Sequence, residues 1–120
     1  MFAVIFEVYP TKEGMTKYLE IAAELRGFLE NRDGFISIER FQSLSEEGKI
    51  LSLSFWRDEE AIATWRRLFE HRSAQRKGRD LLFESYRIRV AEVVRDYTLT
   101  ERGQAPLDSN STFSEGTGGQ

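Results

Sequence analysis

The sequence predicts an α+β domain: a four-stranded antiparallel sheet with helices against one face, in the order β-α-β-β-α-(α)-β. Three observations predict it. A β-rich apolar run, Phe2 to Val8, opens the chain. Two alternating runs, Phe35 to Leu44 and Lys49 to Trp56, flank the turn Ser45-Glu46-Glu47-Gly48 and read as a hairpin. Two helical stripes, one before that hairpin and one after it, separate these strands from a β-branched segment, Phe83 to Leu99.

Each element follows from its own residues. The first strand is nearly continuous in apolar side chains, the pattern of a strand covered on both faces, and Pro10 ends it. From Thr11 to Asn31, Met15, Tyr18, Ala22, Leu25 and Leu29 recur at spacings of three and four, with Thr11 as the N-cap and Asp33-Gly34 as the stop. In the hairpin, Ile36 and Ile38 point one way and Phe35, Ser37 and Phe41 the other; then Leu51, Leu53 and Phe55 oppose Ile50, Ser52, Ser54 and Trp56. Asp58 caps the second helix, with Glu59 and Glu60 suited to its positive end, and Ala61, Ile62, Trp65, Leu68 and Phe69 form its inner stripe. A further helical piece is expected over Arg72 to Leu82, with Gly78 as the point where continuity is in question. In the last strand Tyr86, Ile88, Val90 and Val94 share one face, and Arg87, Arg89 and Arg95 share the other with Ala91 and Val93.

Residues 1–100 read as the domain and residues 101–120 as a flexible C-terminal tail, because only Leu107 and Phe113 are large apolar groups there. A net charge of −3 argues against a nucleic-acid footprint. The absence of cysteine excludes thiol nucleophiles, disulfides and Cys-ligated metals, and a lone histidine, His71, excludes multi-His sites within one chain. No Gly-x-Gly-x-x-Gly, phosphate-cradling loop or nucleophile elbow is present. No apolar run reaches the roughly 20 residues that span a bilayer, and Phe2 to Phe6 lacks a basic leader, so the expected location is cytoplasmic. Helices cover one sheet face only, while the first and last strands carry apolar residues on both. A second copy packed face to face is the simplest cover, which predicts a homodimer.

A specific likeness sits in the strand Phe2-Ala3-Val4-Ile5-Phe6-Glu7-Val8, the helix after Lys12-Glu13-Gly14, and Asp33-Gly34-Phe35-Ile36-Ser37. It continues through Leu53-Ser54-Phe55-Trp56-Arg57-Asp58-Glu59-Glu60-Ala61, Trp65, His71-Arg72-Ser73-Ala74-Gln75 and Tyr86-Arg87-Ile88-Arg89-Val90. Over about residues 1–98 the chain resembles the antibiotic biosynthesis monooxygenase domain of the dimeric α+β barrel superfamily. The resemblance implies a ferredoxin-like fold, a dimer through sheet faces, and a pocket between helices and sheet for a small hydrophobic or aromatic ligand. The implied activity is oxygen insertion into an activated aromatic or quinol, with molecular oxygen as co-substrate and no cofactor. Trp65 matches a tryptophan of both the cofactor-free and the haem-degrading members. Ala61 stands where the cofactor-free members have asparagine. Gln75 stands where the haem-degrading members place a ligating histidine, and Phe6 or Glu7 where they use an asparagine, so haem is disfavoured.

The candidate catalytic residues are His71 and Trp65. Trp65 is either core packing or a pocket wall that stacks on a planar ligand. His71 is either a structural or surface histidine or the base that deprotonates a phenol or enol, a role suited to imidazole. Phe6, Ser54, Phe69, Tyr86 and Arg76 form the candidate substrate-binding set. Arg76 belongs to the basic run Arg66, Arg67, Arg72, Arg76, Lys77 and Arg79, which is either a solvated face or an anion site. Arg87, Arg89 and Arg95 are expected near the edge or paired with Glu7, Glu39 or Glu92. The alternative functions are a non-catalytic stress-response dimer that binds a hydrophobic metabolite or haem, and a cofactor-free isomerase.

Overall fold

A computed structural model of the chain describes residues 1–77 and 82–110, with side chains described as far as Arg72 and again from Leu82. The elements are β1 (Phe2–Pro10), α1 (Gly14–Leu29), β2 (Phe35–Gln42), β3 (Ile50–Trp56), α2 (Glu59–Lys77) and β4 (Phe83–Glu92). The four strands form one antiparallel sheet in the order β2-β3-β1-β4. This is the ferredoxin-like α+β fold that the pattern predicts.

β1 lies inside the sheet, so its apolar residues are used on both faces. Val4, Phe6 and Val8 point toward the helices and are buried, at 1%, 1% and 0% exposure. Pairing places Phe6 opposite Ser52 of β3 on one side and Ile88 of β4 on the other. Tyr18, Ile21, Ala22, Leu25 and Leu29 of α1 close the layer above, together with Ala61, Ile62, Trp65 and Phe69 of α2.

Local chemistry fixes the helix starts. The Gly14 amide donates to Thr11 Oγ1 at 2.8 Å and the Met15 amide to the Thr11 carbonyl at 2.9 Å, so Thr11 caps α1 as expected. At α2 the Ala61 amide donates to Asp58 Oδ1 at 2.9 Å.

Three boundaries differ from the sequence reading. Ile38 is buried but Ile36 is 51% exposed, because the β2–β3 register shifts between Phe35 and Ser37 and turns Ile36 out of the alternation. α2 runs unbroken to Lys77, since nothing in His71-Arg72-Ser73-Ala74-Gln75 opposes a helix; Gly78 lies outside the described residues. β4 ends at Glu92 rather than Leu99. Its pairing with β1 closes with a bond from the Val93 amide to the Met1 carbonyl, 2.9 Å. Residues 96–110 instead fold on one another around Arg102. Its guanidinium sits 5.1 Å from the Tyr97 ring and donates to Thr98 O, Ser109 Oγ and Asn110 Oδ1. Phe113 lies outside the described residues.

The sheet face turned away from the helices carries Ala3, Ile5, Leu51, Leu53 and Phe55, with Phe55 opposite Ala3 and Leu53 opposite Ile5. Arg89, expected to pair on this strand, bonds Glu7 Oε1 at 3.3 Å. β4 is exposed from Glu84 onward, including Tyr86, Ile88 and Val90 on the helix side.

Gly34 starts β2 with φ +86°, in the region where a side chain is strained. A Cβ there would lie 2.7 Å from Ala61 Cβ. Gly34→Ala should therefore lose about 1–3 kcal/mol of stability, read as a lowered denaturant midpoint with an unchanged slope. Adding Ala61→Gly should recover the part due to the contact and leave the backbone part.

Candidate functional site

Six aromatic rings gather between helices and sheet, and Phe6 is at their centre. Its ring centroid lies 5.3 Å from Phe69, 5.6 Å from Tyr86, 6.2 Å from Trp65, and 6.4 Å from both Tyr18 and Phe83, all edge to face. Phe69 stacks on Trp65 at 5.5 Å and on Phe83 at 6.1 Å. Edge-on pairs present ring hydrogens to ring faces, which makes the cluster rigid as well as apolar. It is open at one side. Trp65 is 5% exposed, whereas Tyr86 is 57% exposed although its ring touches both Phe6 and Phe83.

The structure thus brings together Trp65, Phe6, Phe69 and Tyr86 from the sequence-predicted set. Ser54 is elsewhere: its buried hydroxyl accepts the Trp56 indole N–H at 2.8 Å, and its strand neighbours are Val4 and Ile38. His71 is exposed on α2, six residues beyond Trp65, where helical geometry turns it away from the inner stripe. The Arg76 side chain lies outside the described residues. The neighbouring Arg72 holds the exposed Phe28 ring at 5.3 Å.

Sequence reasoning did not single out Phe83, Tyr18 or Arg40 for the site. Arg40 is the informative omission, since it continues the helix-facing side of β2 two residues after Ile38, where a charge is unexpected. It pairs with Ser52, which pairs with Phe6, so Arg40, Ser52 and Phe6 form one row across the sheet. Burial pushes the Tyr18 hydroxyl up in pKa, and the charge and hydrogen bond of Arg40 pull it partly back. Arg40 also lines a cleft of about 340 Å³ with Met15, Leu19 and Ile50.

The profile of the family described as Antibiotic biosynthesis monooxygenase matches residues 1–77, from β1 to the end of α2. The chain belongs to this family. It is 53% identical over 93 residues to a protein named jasmonate monooxygenase ABM from Pyricularia oryzae, a match covering 78% of this chain. That match spans only 43% of the longer fungal relative. Among solved structures, Rv0793 from Mycobacterium tuberculosis superposes with a TM-score of 0.67 at 17% identity, covering 81% of this chain and 98% of its own. SnoaB of Streptomyces nogalater, a cofactor-independent oxygenase, superposes with a TM-score of 0.63 at 9% identity, covering 79% of this chain and 94% of its own. At these identities the two structures speak for the shared fold.

In this member of the antibiotic biosynthesis monooxygenase family, the strongest charge clusters lie away from the rings. Arg57 forms a two-pronged pair with Asp33, at 2.8 and 3.0 Å, and bonds Asp58 at 3.0 Å, tying the β3–α2 turn to the start of β2. Tyr9 donates to Glu46 at 2.6 Å, and Lys49 reaches Glu46 at 3.2 Å and Glu7 at 3.7 Å. Among the described residues no helix is long and apolar enough to cross a membrane, and no group of three His, Cys, Asp or Glu side chains is placed to hold a metal ion.

The hydrogen bond and charge of Arg57 hold the Asp33 carboxyl below its ordinary value. The Ala61 amide, then Arg57, does the same for Asp58, and the Tyr9 hydroxyl, then Lys49, for Glu46. A carboxyl with a lowered folded-state pKa adds stability above its unfolded value, and that stability is lost as pH falls through the folded value. Melting temperature should therefore drop on acidification below about pH 4. Asp33→Asn, which keeps the shape but not the charge, should show a shallower drop in the same titration.

Proposed function

We propose that the chain is a cofactor-independent monooxygenase acting on an activated aromatic or quinol-type small molecule bound against the ring cluster. The observation that carries this reading is the aromatic wall around Phe6, closed by Trp65 within and open at Tyr86. The family supports monooxygenation, and the name of the Pyricularia relative adds a small organic substrate.

The chemistry asks little of the protein. Deprotonation of a phenol or enol leaves an electron-rich anion that reduces oxygen and forms a carbon–oxygen bond. In an anthrone-type substrate, loss of water then leaves a carbonyl, so one oxygen atom enters the product and the other departs as water. The substrate supplies all four electrons, and no external reductant is needed. What remains for the chain is to orient a flat ring, exclude water and accept a proton. Rings held edge to face provide the first two. His71, the side chain of ordinary choice for the third, is exposed and turned away from the inner stripe, so the Tyr86 hydroxyl at the open side of the cluster is the nearer candidate.

A second copy covers the open sheet face. An apolar surface of this kind is kept on soluble proteins mainly where something packs on it.

Oxygen uptake with a panel of hydroquinones and anthrones should show turnover by the wild type, and Tyr86→Phe should lower it about tenfold or more. Retained uptake in Tyr86→Phe with loss in His71→Ala would transfer the proton to the histidine. No uptake with any compound would favour a binding protein. Sedimentation at micromolar concentration should give a dimer of two 120-residue chains; a stable monomer would overturn the face-to-face assembly.

A further inference from the structure

The sheet face turned away from the helices is apolar in the middle and oppositely charged at its two edges. Strand register fixes its rows. The central row runs Glu39 on β2, Leu53 on β3, Ile5 on β1 and Arg89 on β4. On one side lies the row Ser37, Phe55, Ala3, Ala91, and on the other the row Phe41, Leu51, Glu7, Arg87. Glu39 and Arg89 stand three strand spacings apart, roughly 14 Å, so they cannot meet within one chain. Arg89 bonds Glu7 through one nitrogen, and its side chain is still 49% exposed. Glu39 is exposed and holds no cation among the described residues.

A two-fold axis relating two such faces lies in the plane between them, and its direction decides which edges meet. With the axis across the strands, through the central row, Glu39 meets the partner's Glu39 and Arg89 meets the partner's Arg89. Like charges then face each other at both rims, which is unfavourable. With the sheets crossed at roughly 90°, the edge charges lie over apolar rows. With the axis along the strands, β2 lies over β4 and β3 over β1. Glu39 then meets the partner's Arg89, Leu53 meets the partner's Ile5, and the large Phe55 meets the small Ala3 of the partner subunit. In the third row Phe41 meets the guanidinium of the partner's Arg87, a favourable contact for a ring. Leu51 lies over the partner's Glu7, a residue whose carboxylate is held by Lys49 and Arg89 of its own chain. Sheet twist rotates the two layers by about 30° and leaves the same strands facing.

Resting on the face-to-face dimer proposed above, we propose that its two-fold axis runs along the strands, so that Glu39 of each chain pairs with the partner's Arg89 at both rims. The apolar centre supplies affinity, and the rim charges select the orientation.

Sedimentation equilibrium of the full chain, alone and in mixtures, tests this. Glu39→Lys sets a lysine against the partner's Arg89, and Arg89→Glu sets a glutamate against the partner's Glu39. Each variant alone should dimerise about tenfold or more weaker than wild type, and the deficit should narrow in about 1 M salt. Mixed one to one, the two variants form a hybrid whose rims are again opposite in charge, and its affinity should return to within about threefold of wild type. The Arg89–Glu7 bond within one chain is not repaired by mixing, so it cannot produce that rescue. A dimeric wild type with no rescue on mixing would overturn the orientation and leave the face-to-face reading standing. So would Glu39→Lys pairing with wild type in preference to Arg89→Glu, the mark of Glu39 facing Glu39. A monomeric wild type would overturn both. Circular dichroism confirms that each variant is folded. If Arg89→Glu is not, the cysteine-free chain allows Glu39→Cys to be mixed with Arg89→Cys and treated with a bismaleimide. With a reach of about 10 Å, the gap between packed sheets, it should link the mixture and neither variant alone. Linking of Glu39→Cys to itself would overturn the orientation.

Discussion

Phe6 occupies the middle row of the middle strand pair, and the rest of the domain is arranged around that position. It is opposite Ser52 and Ile88 in the sheet, and its ring meets side chains from α1, α2 and β4. Because Ser52 and Ser54 are small, the β3 side of this layer leaves room for rings to approach the sheet from above. Aromatic groups fill the space that two larger residues would have taken. Packing in protein interiors tolerates few voids, so the size of Phe6 and the smallness of its β3 neighbours constrain each other. The same arrangement that makes the core also makes the aromatic wall, and only the exposure of Tyr86 distinguishes one use from the other.

Much of this was legible in the chain. Strict alternation in β3 separates Leu51, Leu53 and Phe55 from Ser52, Ser54 and Trp56, and both sets lie on the faces that alternation assigns. The stripes of α1 and α2 fall where spacings of three and four put them, including Trp65 on the inside. The same helical arithmetic, carried six residues further, turns His71 outward; its candidacy beside Trp65 rests on the chemistry of imidazole and not on periodicity. Ser54 and Trp56, two apart on a strand, share a face, so their mutual hydrogen bond was within reach of the sequence as well.

Other features depended on tertiary facts that no local pattern carries. The β-branched run after Glu92 continues to Val94, yet the strand itself ends at Glu92, one residue before the bond from the Val93 amide to the Met1 carbonyl. The bulge that exposes Ile36 sits next to the bond from the Arg57 amide to the Gly34 carbonyl, a tertiary contact at the start of β2. Arg40 reads locally as an outward-facing charge in a hairpin. Its placement in the row of Ser52 and Phe6 follows from sheet order, which the sequence pattern permits but does not impose.

One joint in the fold bears on how the helices and the last strand can move. Gly14, at the first turn of α1, lies so close to Leu82 that a Cβ would fall 2.3 Å from its carbonyl oxygen, and the Thr11 amide bonds that same oxygen at 3.0 Å. The leading end of α1 and the approach to β4 are therefore fastened at a single acceptor. Any side chain at Gly14 would push these two segments apart, so the entry to the first helix and the entry to the last strand keep their spacing through a missing methyl group.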